Sequence, residues 1–279
     1  MTFDTAVKPG QTVKLSDYDP DDTFGITKDE AVLRHDELVS ALGELQELLY
    51  ASHQNSVLIV LQGMDTSGKD GTITKVMSGV NPLGCRVESF KVPTEEELDH
   101  DFLWRVHKVV PRRGMMTIFN RSHYEDVVIV RVHELVPGRV WKERYDQINE
   151  FEQLLTENGT IVLKFFLHIS RDEQKERLEA RERDRPKAWK LSPGDWKERV
   201  YWDDYQKAYE DAIARCSTTE APWHIVPANK KWFRNLAVAD AIVSTLRGHS
   251  GEWEKSLSEL AKVKLAELAE FREQKGTLS

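Results

Sequence analysis

Gly63, Gly68 and Lys69 stand at the spacing G-x-x-x-x-G-K, and that spacing can hold a chain of phosphates. Glycines let successive backbone N–H groups turn toward phosphate oxygens, a following helix adds the positive end of its dipole, and Lys69 supplies a mobile ammonium. The segment Gly63-Met64-Asp65-Thr66-Ser67-Gly68-Lys69 lies between an apolar run at 57–61 and a helical pattern from Lys69, the strand-to-helix context this chemistry needs. The bland alternative is a tight turn with an exposed lysine. Asp70 takes the place where a Ser or Thr ordinarily ligates magnesium. Metal binding must then be arranged differently, and Asp65, inside the loop, is the carboxylate on offer to a hard divalent cation. Facing bound phosphates without a cation, it would repel them. Its other reading is a turn residue bonding its own backbone.

A second constellation, Phe119-Asn120-Arg121-Ser122-His123-Tyr124-Glu125-Asp126, follows the apolar run at 115–119. Polar groups at such a strand end face a crevice. Arg121 can neutralise charge developing on a transferred group, while Asn120 or Glu125 can hold metal-bound water or orient an acceptor. His123 reads as a hydrogen-bonded structural residue rather than an acid–base group. Further on, Arg177 and Arg181 fall at i and i+4, with Arg185, Lys187 and Lys190 behind them, a comb that could grip a polyanion. The same arginines could instead pair with Glu173, Glu176, Glu179 and Glu182 on a solvated helix. Trp189 offers a face for a base or a packing anchor. In Asn229-Lys230-Lys231-Trp232, Trp232 replaces the carboxylate a guanine-reading loop would need, so guanine selectivity is not supported.

These groups need elements to hold them. Leu38, Leu42, Leu45 and Leu49 recur at helical spacing from about Thr27, before the strand at 57–61. Strand-like runs follow at 86–92, 115–119, 160–169 and 223–226, with a capping box at Thr94 and Glu97 and helical segments at 124–132 and 141–157. The alternation predicts an α/β fold of three layers, a parallel central sheet covered by helices on both faces, with ligands at the carboxyl ends of the strands. One domain is expected over 1–279. To it are added an N-terminal arm at 1–26 that wraps or frays, a mobile helical lid at 171–199 and an amphipathic helix at 252–274 that packs on the body or on a partner subunit, the body being favoured.

Composition narrows the classes. A formal net charge of −8 argues against broad nucleic-acid binding, so any polyanion site is local. The longest apolar runs are too short to cross a bilayer, residues 1–11 lack a signal peptide's apolar block, and Cys85 and Cys216 match no zinc or redox spacing. A cytoplasmic protein with reduced thiols and no membrane association is expected.

Over residues 29–246 the sequence resembles the second family of polyphosphate kinases, related in fold to thymidylate kinase. The resemblance rests on Gly63-Met64-Asp65-Thr66-Ser67-Gly68-Lys69-Asp70-Gly71, on Phe119-Asn120-Arg121-Ser122-His123-Tyr124-Glu125 and on Trp189-Lys190. Asn81-Pro82-Leu83-Gly84 and the segment at 96–105 look like the subgroup that accepts nucleoside mono- and diphosphates. The resemblance implies a P-loop kinase fold and magnesium-dependent, reversible phosphoryl transfer between inorganic polyphosphate and AMP or ADP, with manganese as a substitute ion. Asp65 would hold the metal, with Lys69, Arg121 and Glu125 as its catalytic companions. Gly63, Met64, Thr66, Ser67, Gly68, Lys69, Asp70, Arg121, Arg177, Arg181 and Lys190 would line the polyphosphate path. Asn120, Arg121, Arg177 and Arg181 would meet the nucleotide. Asn120 stands where some relatives carry Asp, which suits the monophosphate-competent groups. A dimer or tetramer is implied as well. The rivals are an ATP-dependent nucleoside monophosphate kinase of the same fold, against which Asp70 speaks, and a nucleotide-sensing protein without turnover.

Overall fold

Seven consecutive buried residues, Ser56–Gln62, form strand β1, and this burial requires cover on both faces and both edges. The computed structural model describes residue 3, residues 5–183 and residues 193–276, the last three by backbone only. In it β1 is the middle of a five-stranded, all-parallel sheet of order β2-β3-β1-β4-β5, the others being Cys85–Ser89, Met116–Asn120, Thr160–His168 and Trp223–Pro227. The chain leaves β1 with one neighbour still to come on each side, β3 and β4. The order reverses there, and a crevice opens at the carboxyl ends of these strands.

Helix α1 (Lys28–Ser52) begins where Thr27 and Glu30 close a capping box. The box foreseen at Thr94 and Glu97 opens α3 (Glu95–Leu98). Helices α2 (Lys69–Val76), α4 (Trp104–His107), α5 (Glu125–Val132), α6 (Gly138–Glu157), α7 (Arg171–Arg183), α8 (Pro193–Glu198), α9 (Trp202–Cys216) and α10 (Lys231–Gly276) complete the order. β2 ends three residues earlier than the sequence indicates, at Ser89.

The N-terminal arm wraps. Val7 donates to Trp223 O, Ile225 donates to Thr5 O, and an antiparallel bridge joins Ala6 to His224, so the arm lies along the β5 edge with Val7, Val13 and Leu15 buried.

Two expectations change. The stripe at 252–274 is not a separate helix packed on the body but the distal part of a single 46-residue helix, α10. Among the described side chains Trp253 is its last buried one, donating from Nε1 to Asn55 Oδ1, while Leu260, Val263, Leu265, Leu268 and Phe271 are exposed. α10 packs chiefly along α1, and it also touches α2, β4 and β5. The expected lid is in part packed down: α7 buries Gln174, Arg177 and Leu178. Arg185, Lys187, Trp189 and Lys190 lie outside the described residues.

Candidate phosphoryl-transfer site

The loop after β1 turns through left-handed backbone at Gly63, Thr66 and Gly68, with φ of 145°, 65° and 101°. At Gly63 a Cβ would lie 2.7 Å from Leu167 O, so the close approach of β4, as well as the dihedral, requires glycine. Met64 points into the core and can meet a ligand only through its backbone. The hydroxyls of Thr66 and Ser67 are buried with no hydrogen-bond partner among the described residues. Orphaned polar atoms in a loop of this shape fit an anion with many acceptor oxygens. Lys69 arches back across the loop, its Nζ donating to Gly63 O at 2.8 Å and Met64 O at 3.3 Å. Burial, and then the charge of Arg121, lower its pKa to about 8.

Strands β1 and β3 are paired in register, Leu61 beside Asn120, so the loops that follow them lie side by side. Arg121, itself left-handed at φ 64°, donates from Nη2 to Asp65 Oδ1 at 2.6 Å and from Nη1 to Glu125 Oε2 at 3.3 Å. Burial opposes its charge, but Glu125 and Asp65 hold its pKa above the ordinary arginine value. Asn120 Nδ2 donates to Asp70 Oδ1 at 2.9 Å, a second tie between the loops. The sequence-predicted set Asp65, Lys69, Asp70, Asn120, Arg121 and Glu125 is therefore brought together in one crevice. Beside it, at the end of β2, a cavity of about 310 Å³ opens between Phe90, Val92, Thr94, Arg105 and Val109.

The two arginines expected to act together are separated in role. Arg177 is buried and all five of its N–H groups are engaged: Nε with Glu173, Nη1 with Thr66 O and Ser67 O, Nη2 with Ala228 O and Asn229 O. It braces the loop from beneath and has no donor left for a ligand. Arg181 is partly exposed and pairs with Asp195 of α8 at 3.2 Å. Burial, with Asp65 nearby, raises the pKa of Asp195. Asn229 donates to Asp21 Oδ2 and accepts from Ser170 N, a structural tie that agrees with the lack of a guanine-reading loop.

His123 is fully buried, Nε2 donating to Glu152 Oε1 at 3.2 Å, as a structural residue should be. Glu152 also receives Tyr124 Oη and the ammonium of Lys164, and Lys164 donates to Cys216 O. This buried cluster was not foreseen, because Lys164 hides within an apolar strand pattern and Glu152 within a helix face. Also missed were Arg234, beneath the loop, and the chain Tyr209 to Gln62 to Ser122 that links α9 to both motifs. Arg234 adjoins the disfavoured N-K-x-D match, and only burial could have marked it.

Among the described residues no three His, Cys, Asp or Glu side chains converge on a metal position. That excludes none of magnesium's needs, since magnesium takes one or two carboxylates with waters and substrate phosphates. Asp65, its side chain a quarter exposed at the mouth of the loop, fits that role.

A parallel sheet with a glycine-lysine phosphate loop at its reversal point and an arginine on the next strand end defines a P-loop phosphotransferase fold. The sequence model of Polyphosphate kinase 2 (PPK2) matches residues 25–253. The chain is 54% identical over 244 residues to the AMP/ADP-polyphosphate phosphotransferase of Meiothermus ruber, covering 87% of this chain and 91% of that one. It is 45% identical to the ADP-polyphosphate phosphotransferase of Rhodopseudomonas palustris, covering 85% and 84%. The crystal structure of Polyphosphate Kinase 2 from Arthrobacter aurescens TC1 superposes with a TM-score of 0.83 at 44% identity, covering 88% and 92%. This chain belongs to the polyphosphate kinase 2 family.

Proposed function

We propose that the protein transfers a phosphoryl group from inorganic polyphosphate to AMP or ADP, reversibly. The observation that carries this reading is the Arg121–Asp65 pair, which joins the phosphate loop to the next strand end in one crevice. The polyphosphate lies over the loop amides, with Lys69 on the transferring phosphate. An oxygen of the nucleotide's terminal phosphate forms the new P–O bond as the anhydride bond to the next polyphosphate unit breaks. That acceptor oxygen is already anionic, so no general base is needed, in keeping with the burial of His123 away from the crevice. Arg121 meets the charge on the departing chain. Asp65 would hold magnesium, or manganese in its place, and the ion would supply positive charge against the phosphates. Asn120 and Glu125 orient the acceptor, whose nucleoside occupies the cavity at the end of β2. Phosphoanhydrides on both sides allow either direction.

The chain works in the cytoplasm as a dimer or tetramer built through the exposed stripe of α10. Among the described residues no helix is long and apolar enough to cross a membrane.

The test is phosphorus NMR with AMP, magnesium and polyphosphate as sole donor. ADP, and then ATP, should appear as the signal of internal chain phosphates shrinks. Turnover only with ATP as donor would favour the monophosphate-kinase alternative, and nucleotide binding without any product would favour a sensor.

A further inference from the structure

Arg234 lies in the first turn of α10, is 3% exposed, and belongs to neither motif. Its Nε and Nη2 donate to Asn235 Oδ1 at 3.1 and 2.8 Å, and its Nη1 donates to Ser67 O at 3.2 Å. The same carbonyl accepts from Arg177 Nη1 at 3.0 Å. Two guanidinium groups thus converge on one peptide of the phosphate loop. The contact leaves no space: a Cβ at Gly68 would lie 1.8 Å from Arg234 Nη1, and one at Gly71 would lie 3.3 Å from Nη2.

The shared carbonyl has a directional consequence. All peptides described are trans, and in a trans peptide the C=O and the following N–H point in opposite directions. Drawing Ser67 O down toward the arginines therefore turns the Gly68 N–H up into the concave side of the loop, where a phosphate would sit. The charges differ as well. Glu173 answers Arg177, whereas among the described residues no carboxylate pairs with Arg234. Burial, and then Arg177, lower its pKa to about 10, so it remains a cation at neutral pH. A buried cation without a counter-charge is unfavourable unless an anion arrives.

We propose that Arg234 is a positioning residue for the phosphate donor: it orients the Ser67–Gly68 peptide toward the polyphosphate, whose negative charge balances its own. The proposal rests on the reading of this loop as the polyphosphate cradle.

The test compares the full-length wild type with Arg234→Met, Arg234→Lys and Gly71→Ala. Binding of tripolyphosphate is measured by calorimetry, KM for polyphosphate and for AMP is measured separately, and thermal melting is followed throughout. Arg234→Met should weaken tripolyphosphate binding and raise the polyphosphate KM about ten- to a hundredfold, the range for one hydrogen bond to a charged group, while leaving the AMP KM within about twofold. Arg234→Lys should recover part of the loss, because it restores the charge but not the planar fork. Gly71→Ala, which shifts the guanidinium without removing it, should move the polyphosphate KM in the same direction by about threefold, and it keeps the test alive if Arg234→Met fails to fold. Wild-type donor binding in Arg234→Met, or in Gly71→Ala if only that variant folds, overturns the proposal. So does an equal rise in both KM values, which would mark a merely structural role. Failure of the wild type itself to bind tripolyphosphate would overturn the reading of the loop instead.

Discussion

Arg121 Nη2 and Asp65 Oδ1 meet at 2.6 Å between the ends of neighbouring strands, and the backbone on both sides of that contact is left-handed, at Arg121 and at Thr66. Such conformations are unfavourable for residues with side chains and persist where the surroundings fix them. Here the arginine and the candidate metal ligand neutralise each other, so a cation arriving at Asp65 would free Arg121 for phosphate.

Asp65→Asn should accordingly lower turnover by orders of magnitude while the melting temperature stays near that of the wild type. Initial rates across a magnesium titration check this. An unchanged magnesium requirement with wild-type rates would remove Asp65 from the metal site.

Lys69→Ala should be as damaging to turnover as Asp65→Asn. In the wild type the ammonium with a pKa of about 8 is charged below that pH and neutral above it. Affinity for polyphosphate should therefore hold steady at lower pH and fall as pH rises through about 8, a trend read from KM at fixed ionic strength.

Arg177 and Arg181 should respond differently. Arg181→Ala should mainly raise KM, because its partner Asp195 is at the surface of the crevice. Arg177→Met removes five hydrogen bonds, four of them to backbone carbonyls, and should lower both kcat and the melting temperature. Steady-state kinetics beside calorimetric melting separates the two.

Glu152→Gln should destabilise the fold by about 3–5 kcal/mol, since it leaves Lys164 charged and buried without its counter-ion. Chemical denaturation measures this. Burial pushes the Glu152 carboxyl up, but Lys164 and His123 outweigh it and hold its pKa below the ordinary value. Its contribution is thus present at neutral pH and is lost as acidification passes the lowered pKa.

Leu265→Glu combined with Leu268→Glu should reduce the assembly state seen by sedimentation without loss of secondary structure, as both side chains are exposed along α10. An unchanged assembly would remove this stripe from any subunit interface.

Much of the site was legible in the sequence because spacing reports local geometry. Gly63, Gly68 and Lys69 declare a loop, and the apolar runs before Gly63 and Asn120 declare the strands that bring the two motifs together. Arg177 was legible as a cation near the site, but its role was not. Whether a guanidinium grips substrate or carbonyls depends on tertiary neighbours such as Ala228 and Asn229, some fifty residues away. Lys164 and Arg234 were hidden for the same reason, since polar groups buried against distant backbone leave no periodic trace. The length of α10 escaped notice because the stripe at 252–274 repeats helical spacing whether or not anything covers it.

The sheet has two rims of unlike character. Along β5 the arm supplies a bridging residue, Ala6, and closes that side. Along β2 the strand is only five residues long and carries Arg86 and Glu88. Short, charged margins of this kind discourage edge-to-edge growth between molecules, which leaves a protein that must handle a long polymer with little tendency to become one.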